Sequence, residues 1–532
     1  MSENNEIQSR KRNYSRTIDL FFLLIYLIFI IGSFYIAFNF KILPTKWLYT
    51  AALISVIIFA ILFILSLKKM PRWVNIIKRI FIVLLCALLG TAGYFIDRTK
   101  TTINKTSTAG KTVTTQKMMV IVPKDSQLSS VQDLATATIG FQSGTDTENA
   151  SYIKEQLNKE VNTYQVKEAG DYTTLITEML DTKTIQAVAI SEGYYKMSSS
   201  NIDGFSDQIK TLASYEKTVK VAQASTKDIT KETFTVYLSG LDNTGSPDQE
   251  TRTDTNLILI VNPVAKHIEM VSLPRDGYIP NTAMDNQNDK LTHTGNFGVE
   301  TSVATLEQFF EIPIDFYARV SFNSLIEIVD TIGGIDVDVE LDFCEQDENR
   351  SFAKDDLICL VKGKQHLDGK QALAYSRHRK TEGYDNAGRE RAQQRIIKAI
   401  INKMISPSAI GYLNSLLSII PNYVITNISS DQIADFVSNE LEDMGEWSIT
   451  SITSDTGVYD DQIAASTAAM GTSDCYLFSQ DEVHALLNAY DGATNQLKMN
   501  TFSFDLTDLY KNTPAINDDP NIVWDTMAVR PH

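Results

Sequence analysis

The residues of this 532-residue chain best suited to chemistry are arginines and aspartates at the ends of apolar runs. Asp242 closes FTVYLSGLDN, Arg252 and Asp254 open RTDTNLILIVNP, and Arg275 with Asp276 closes HIEMVSLPRD. Further on, Arg377 and Arg379 fall in YSRHR, and Asp385, Arg389, Arg391 and Gln393 in DNAGRERAQQ. Planar guanidinium groups grip phosphate oxygens with two parallel hydrogen bonds, so gathered arginines suit a pyrophosphate. Arg389 and Gln393 stand four apart, on one face of a helix. So many cations need counter-charge. A polyanionic ligand would supply it, and Asp242 and Asp254 could hold Mg²⁺ against that ligand. The set describes phosphoryl transfer, where positioning and charge neutralisation provide most of the catalysis. Spacing alone leaves open a second reading, a surface of solvated Arg and Asp pairs each worth little. GxSxG, HExxH, GxxxxGK(S/T) and a post-strand GxGxxG are absent.

The elements that must carry these residues follow from the apolar spacing. Alternating and apolar runs predict strands in FTVYLSGLDN, LILIVNP and HIEMVSLPRD, each delivering polar residues to what could be one sheet edge, where ligands of α/β domains bind. TSVATLEQFFEI and SFNSLIEIVDTIGG have helical spacing, with Gly333 and Gly334 as a stop, and IDVDVELDF alternates as a strand. GKQALAYSRHR and AGRERAQQRIIKAIINKMI predict two helices around the loop KTEGYDN. Apolar residues at 306–310, 325–329 and 396–401 could line a slot for a lipid tail, and core packing would give the same pattern.

Ahead of this unit, residues 117–228 alternate strand and helix, an α/β pattern. The stretches LATATIGFQSGTD and AVAISEGYY resemble one lobe of periplasmic solute-binding proteins. On that likeness Gly140, Ser143 and Gly144 could offer an anion a helix N-terminus, or simply make a turn. The Thr-rich stretch within 99–116 reads as a linker.

The first hundred residues are of another kind. Leu20–Phe38, Trp47–Leu67 and Ile80–Ile96 are uncharged apolar runs of 19, 21 and 17 residues, long enough to cross a bilayer as helices. Basic residues crowd the N-terminal tail and the 68–79 loop, which places those segments in the cytoplasm. Three spans then put everything after about residue 97 outside the cell. Residues 1–100 hold 13 basic and four acidic side chains, a net of +9, so a total of −17 leaves −26 for the remainder. That acidity argues against a large nucleic-acid surface. Cys86 lies in the third span, and Cys344, Cys359 and Cys475 lie outside. Cys344 and Cys359 both end strand-like runs and could pair across a hairpin or remain separate thiols.

At LSGLDN (238–243), RTDTNLILIVNP (252–263), SLPRD (272–276) and YSRHR with GRERAQQ (375–394), the chain resembles the LytR-CpsA-Psr (LCP) family of Gram-positive cell-wall enzymes. Its layout is similar to the streptococcal CpsA-type members, with three N-terminal spans and an accessory domain before the catalytic one. The resemblance implies a three-helix transmembrane segment (1–98), a linker (99–116), an α/β accessory domain (117–228), a mixed-sheet αβα catalytic domain (232–500) and a C-terminal tail (501–532). It also implies transfer of a glycopolymer, capsular polysaccharide or teichoic-acid-like, from a polyprenyl-pyrophosphate carrier to a peptidoglycan hydroxyl through a phosphodiester. On the matching positions, Asp242 and Asp254 would bind Mg²⁺ or Mn²⁺. Arg252, Arg275, Lys290 of DKLTH, Arg377, Arg379, Arg389 and Gln393 would bind the pyrophosphate. Arg275, Asp276, Asp385 and Arg389 are expected at the reacting centre. The family's Asp three residues before the motif Arg is Asn386 here, and the Arg usually preceding the motif Gln is Ala392. Asp385 is therefore either a base or orienting group or a plain loop carboxylate. The implied partners are lipid-linked polysaccharide, peptidoglycan, the membrane and capsule or cell-wall assembly proteins. A non-catalytic regulator that binds the lipid precursor is the alternative, although a tail of 19 residues is too short for a DNA-binding domain.

Overall fold

Three apolar helices, α1 (Ser2–Phe40), α2 (Thr45–Leu67) and α3 (Arg72–Thr106), open the chain. They belong to a computed structural model that describes residues 2–40, 43–68, 70–106, 113–202, 204–220, 225–241, 247, 251–348, 351, 353–406, 409–443 and 445–494. Ser15–Asn39, Thr45–Leu67 and Arg72–Thr101 are long and apolar enough to cross a membrane, with mean hydropathies of 2.6, 2.8 and 2.1. Leu23, Tyr26, Ile30, Leu62, Ile82 and Cys86 pack together between them, while Ile28, Leu53 and Leu88 face outward. Helix α3 runs to Thr106 and β1 begins at Val113, both inside the stretch 99–116 read as a linker, and residues 107–112 lie outside the described set. A polar sequence continues an established helix at little cost, which is why composition misplaced that boundary.

Residues 1–107, 405–421 and 429–445 form one compact unit and the rest of the chain a second. Among the described residues the second unit holds two large sheets and four two-stranded ones. The first, in the order β3-β2-β4-β1-β5, comprises β1 (Val113–Pro123), β2 (Thr138–Gln142), β3 (Gln165–Ala169), β4 (Ala187–Ser191) and β5 (Ile209–Lys220). Helices α4 (Thr147–Glu160), α5 (Tyr172–Leu180), α6 (Glu192–Asn201) and the single turn α7 (Phe205–Gln208) accompany it. Strand β1 sends Met118, Val120 and Val122 into one apolar cluster and Met119 and Ile121 into another, so both faces of this sheet are covered.

The second sheet runs β16-β11-β6-β7-β8-β17. Its strands are β6 (Phe234–Leu241), β7 (Thr253–Asn262), β8 (His267–Leu273), β11 (Phe316–Val320), β16 (Ile425–Thr426) and β17 (Ser448–Ile452). Strands β11 and β17 lie parallel to β6 and β8, whereas β7 is antiparallel to both, making the sheet mixed. Between these strands come β9 (Tyr278–Asn281) paired with β10 (Gln287–Lys290), then α8 (Leu291–Thr294), α9 (Val299–Phe310) and α10 (Phe322–Thr331). Gly333 and Gly334 end α10, the stop expected of them, at left-handed φ of +74° and +77°. Strands β12 (Ile335–Val339) and β15 (Gly363–Leu367) flank the pair β13 (Phe343–Glu345) and β14 (Ile358–Leu360), where Cys344 lies opposite Cys359 and a disulfide joins them.

Helices α11 (Gly369–Arg377) and α12 (Asn386–Met404) follow, then α13 (Ala409–Tyr423) and α14 (Ser430–Asp443). Nearly all of these last two falls in the first unit, although the sequence reading counted them within 232–500. The hairpin of β18 (Val458–Gln462) and β19 (Ser473–Leu477) and α15 (Gln480–Thr494) close the described chain. Leu306, Phe309 and Phe310 of α9 pack with Phe478, Leu486 and Leu487, so this stretch, a candidate for a lipid slot, is core.

Candidate pyrophosphate site

Antiparallel pairing decides where the site lies. Strand β7 runs opposite to β6 and β8, so the end of β6, the start of β7 and the end of β8 meet on one sheet edge. Leu241 pairs with Thr253, and Asn256 with Leu273. Arg252 and Asp254 therefore flank Thr253 at that edge, and Arg275 and Asp276 follow β8 directly. Asp242 would follow β6 but lies outside the described residues.

The side chains converge there. Arg275 Nη1 bonds Asp254 Oδ1, and Arg275 Nε lies 3.8 Å from Asp276 Oδ1. Lys290 Nζ, at the end of β10, is 3.3 Å from the same Asp276 oxygen. All four side chains are largely shielded, which strengthens their fields compared with surface pairs. Arg389 on α12 is buried, and its environment includes Asp254, Arg275, Arg379 and Asp276. Burial lowers its pKa from the ordinary arginine value, partly offset by the Asp254 carboxylate. Its Nε has no hydrogen-bond partner among the described residues. Arg379, just after α11, is exposed at the rim.

The structure thus joins Asp254, Arg275, Asp276, Lys290, Arg379 and Arg389, with Arg252 beside them in sequence. Other predicted residues are engaged differently. Arg377 donates to the Asp347 carbonyl at 3.1 Å and lies over the Phe322 ring at 4.9 Å. Gln393 donates its amide to the Ser376 carbonyl at 3.2 Å, tying α12 to the end of α11. Asp385 accepts from the Ala387 and Gly388 amides at 3.0 and 3.4 Å, so it caps α12. Asn386 donates to Tyr459 Oη at 2.6 Å. Arg391 pairs with Glu340 at 3.2 Å and does not stand in for the Arg missing at position 392.

The anion site considered in the accessory domain is a turn. Gln142 Oε1 already takes the Gly144 and Asp146 amides, and the Ala169 carbonyl takes the Ser143 amide. The buried Asp146 carboxylate, held by Tyr172 and Ser191, also occupies this helix start.

Two features had no sequence signal. Glu390 is buried beside Arg389, and its pKa is pushed up to about 8, chiefly by burial and further by Glu482, Asp276 and Asp385, against the pull of Arg389. A charged residue within GRERAQQ ordinarily reads as solvent-facing. Tyr459 of β18 reaches the start of α12 from more than seventy positions away, and no local pattern encodes that contact. Burial raises its pKa, as does Asp276.

A divalent cation is compatible with these residues. No group of three His, Cys, Asp or Glu side chains among the described residues is placed to hold a metal ion by itself. Mg²⁺, however, is commonly held by one or two carboxylates, with substrate phosphates and water completing its shell. Arg275 bonds Oδ1 of Asp254, so the second oxygen of that carboxylate is the one that could serve such an ion.

Mixed sheet, strand-end arginines and intervening helices define an α/β domain with a cation-rich edge. Residues 198–490 match the LytR_cpsA_psr family, and the chain belongs to it. It is 33% identical over 241 residues to the polyisoprenyl-teichoic acid–peptidoglycan teichoic acid transferase TagU of Bacillus mycoides, covering 44% of this chain and 75% of that protein. Bacillus subtilis TagU, of the same description, is 31% identical across 43% of this chain and 72% of its own length. For Bacillus licheniformis TagU the values are 36%, 39% and 64%. Among solved structures, Bacillus subtilis TagV covers 50% of this chain and 98% of its own at 26% identity and a TM-score of 0.41.

Proposed function

We propose that this protein is a membrane-anchored transferase that moves a glycopolymer from a polyprenyl-pyrophosphate carrier to a peptidoglycan hydroxyl, leaving a phosphodiester. The observation that carries this reading is the convergence of Arg275, Lys290, Arg379 and buried Arg389 on one edge, where Asp254 and Asp276 lie among them. The curated relatives, teichoic acid transferases by description, support it.

In this mechanism Arg275, Lys290, Arg379, Arg389 and Arg252 hold the pyrophosphate, and the shielded site strengthens their grip. The acceptor hydroxyl attacks the sugar-bearing phosphorus. Its oxygen–phosphorus bond forms as the bond to the departing polyprenyl phosphate breaks. Asp276, aimed by Lys290 and Arg275, takes the hydroxyl proton. Asp254 and Asp242 would hold Mg²⁺ or Mn²⁺, which when bound neutralises phosphate charge. The polymer is of the capsular or teichoic-acid type. With basic segments 1–19 and 68–79 in the cytoplasm the site faces the exterior, and the Cys344–Cys359 disulfide supports that orientation.

The test is incubation of the full-length protein in nanodiscs with a polyprenyl-pyrophosphate oligosaccharide, Mg²⁺ and peptidoglycan fragments. Mass spectrometry should find the phosphodiester-linked product with wild type and not with Arg389→Ala. Equal product from both would refute the assignment.

A further inference from the structure

Asp289 is fully buried one residue before Lys290, and a buried carboxylate must find donors. Three side chains supply them. Asn281 Nδ2 lies 3.2 Å from Oδ2, while His293 Nδ1 and Ser466 Oγ lie 2.9 and 2.8 Å from Oδ1. Ser466 and His293 are themselves 2.7 Å apart. Serine and aspartate meet the same ring nitrogen, so the trio is not a nucleophile relay, whose partners engage opposite nitrogens. It is a clasp that holds the short segment Ala465–Met470 to β10 and α8. Beyond Asp289, the Leu291 and Thr292 amides donate to the Gly277 and Arg275 carbonyls, both at 2.8 Å. The start of α8, directly after the clasped strand, is thereby bonded to the backbone of the Arg275 loop.

The accessory domain grips this region from its other side. Ala283, Met284, Phe297 and Ala465 share one apolar cluster with Tyr172, Tyr194 and Met197. Tyr194 meets the Phe297 ring edge-on at 5.2 Å, and at Gly193 a Cβ would come within 2.5 Å of that ring. Gly295, two residues before Phe297, lies close enough to β7 that a Cβ there would meet the Thr251 carbonyl at 2.5 Å. Ser466 lines a narrow cleft with Gln142, Thr145, Tyr172 and Tyr194. Four of the accessory-domain groups of that cleft are already bonded within their own domain: Gln142 to Thr145, Thr145 to Tyr194, and Tyr172 to Asp146 behind it. The cleft is therefore an interface, not a ligand pocket.

We infer that the accessory domain is a positioning element of the transfer site: packing of α5 and α6 on the segments around Phe297 and Ser466 holds Ser466 against Asp289, and so fixes Lys290 at the pyrophosphate. The inference rests on the proposed transferase reading for its substrate. Ser466 and Tyr194 are positioning residues that act through Lys290.

Two readouts on the full-length protein in nanodiscs test it: calorimetric binding of polyprenyl pyrophosphate alone, and transfer kinetics with the oligosaccharide-bearing lipid. Ser466→Ala should weaken lipid binding and raise KM about fivefold to tenfold, the size of one hydrogen bond, with kcat nearly unchanged. Ser466→Thr should restore affinity, and Tyr194→Leu should reproduce the defect. In the Lys290→Ala background, Ser466→Ala should add nothing, because residues acting through one another are not additive. Full additivity, or affinity unchanged in both Ser466→Ala and Tyr194→Leu, overturns the inference. Binding without transfer by wild type would defeat the transferase reading while the binding cycle still decides this one. Loss of both in wild type overturns both.

Discussion

Lys290 Nζ and Asp276 Oδ1 stand 3.3 Å apart, and the same oxygen lies 3.8 Å from Arg275 Nε. Two cations from different segments thus aim one carboxylate, a geometry suited to receiving a proton from an incoming hydroxyl. Asp276→Asn keeps the shape and removes the charge. It should lower kcat about 10²- to 10³-fold, within the range for loss of one preorganised catalytic group, and change lipid affinity little. Steady-state transfer kinetics decide this, and an unaltered kcat would reduce Asp276 to a support for Arg275.

Arg389 should show function and stability pulling in opposite directions. Its guanidinium is buried near two further arginines, with Nε unbonded among the described residues, an arrangement that favours an anionic ligand over the empty protein. Arg389→Met fills similar volume without charge. Transfer should fall at least about 100-fold while Tm rises by a few degrees. A fall in Tm together with activity would show that Asp254 and Asp276 already compensate the charge in the free protein.

The disulfide closes a separation of 15 residues between β13 and β14. Cross-linking a loop of this size restricts the unfolded chain by about 3 kcal/mol. The double variant Cys344→Ser with Cys359→Ser should therefore unfold at lower denaturant, and reduction of wild type should mimic it. Coincident unfolding curves would show that the pairing contributes no net stability.

Strand ends and their charges were legible because period-two alternation and the abrupt change to Arg or Asp are local properties. The edge formed by Arg252, Asp254, Arg275 and Asp276 follows once β7 is antiparallel to its neighbours. Side-chain direction was less legible. Gln393 shares a helix with Arg389, yet it serves the Ser376 carbonyl, and Arg377 turns to Asp347 and Phe322. Those outcomes depend on packing of α11 against α12, which spacing within one helix does not contain. Asp385 illustrates the opposite case, since an Asp just before a helix is a capping signal in its own right. Ser466 and Tyr459 were invisible for a different reason: their partners lie 173 and 73 positions away.

Glu390 predicts a pH dependence with a defined sign. Its ordinary pKa is 4.5, and burial beside other carboxylates pushes it up to about 8 in the folded protein. Below about pH 4.5 both folded and unfolded chains hold the proton, so the group contributes no difference. Between about 4.5 and 8 only the folded chain keeps it, and stability must fall as pH rises through that window. Above about 8 both states are ionised and the penalty is complete. Glu390→Gln keeps the shape and cannot ionise, so its Tm advantage over wild type should be absent near pH 4, grow to about pH 8 and then level. The charge matters to the site as well. An ionised Glu390 would draw on the field of Arg389 that the pyrophosphate needs, so wild-type lipid affinity should weaken above about pH 8 while Glu390→Gln holds its value. Thermal melts and binding isotherms of both proteins from pH 4 to about 9 test the two halves separately. Parallel Tm profiles would place the Glu390 carboxylate in a compensated ion pair with Arg389 throughout that range.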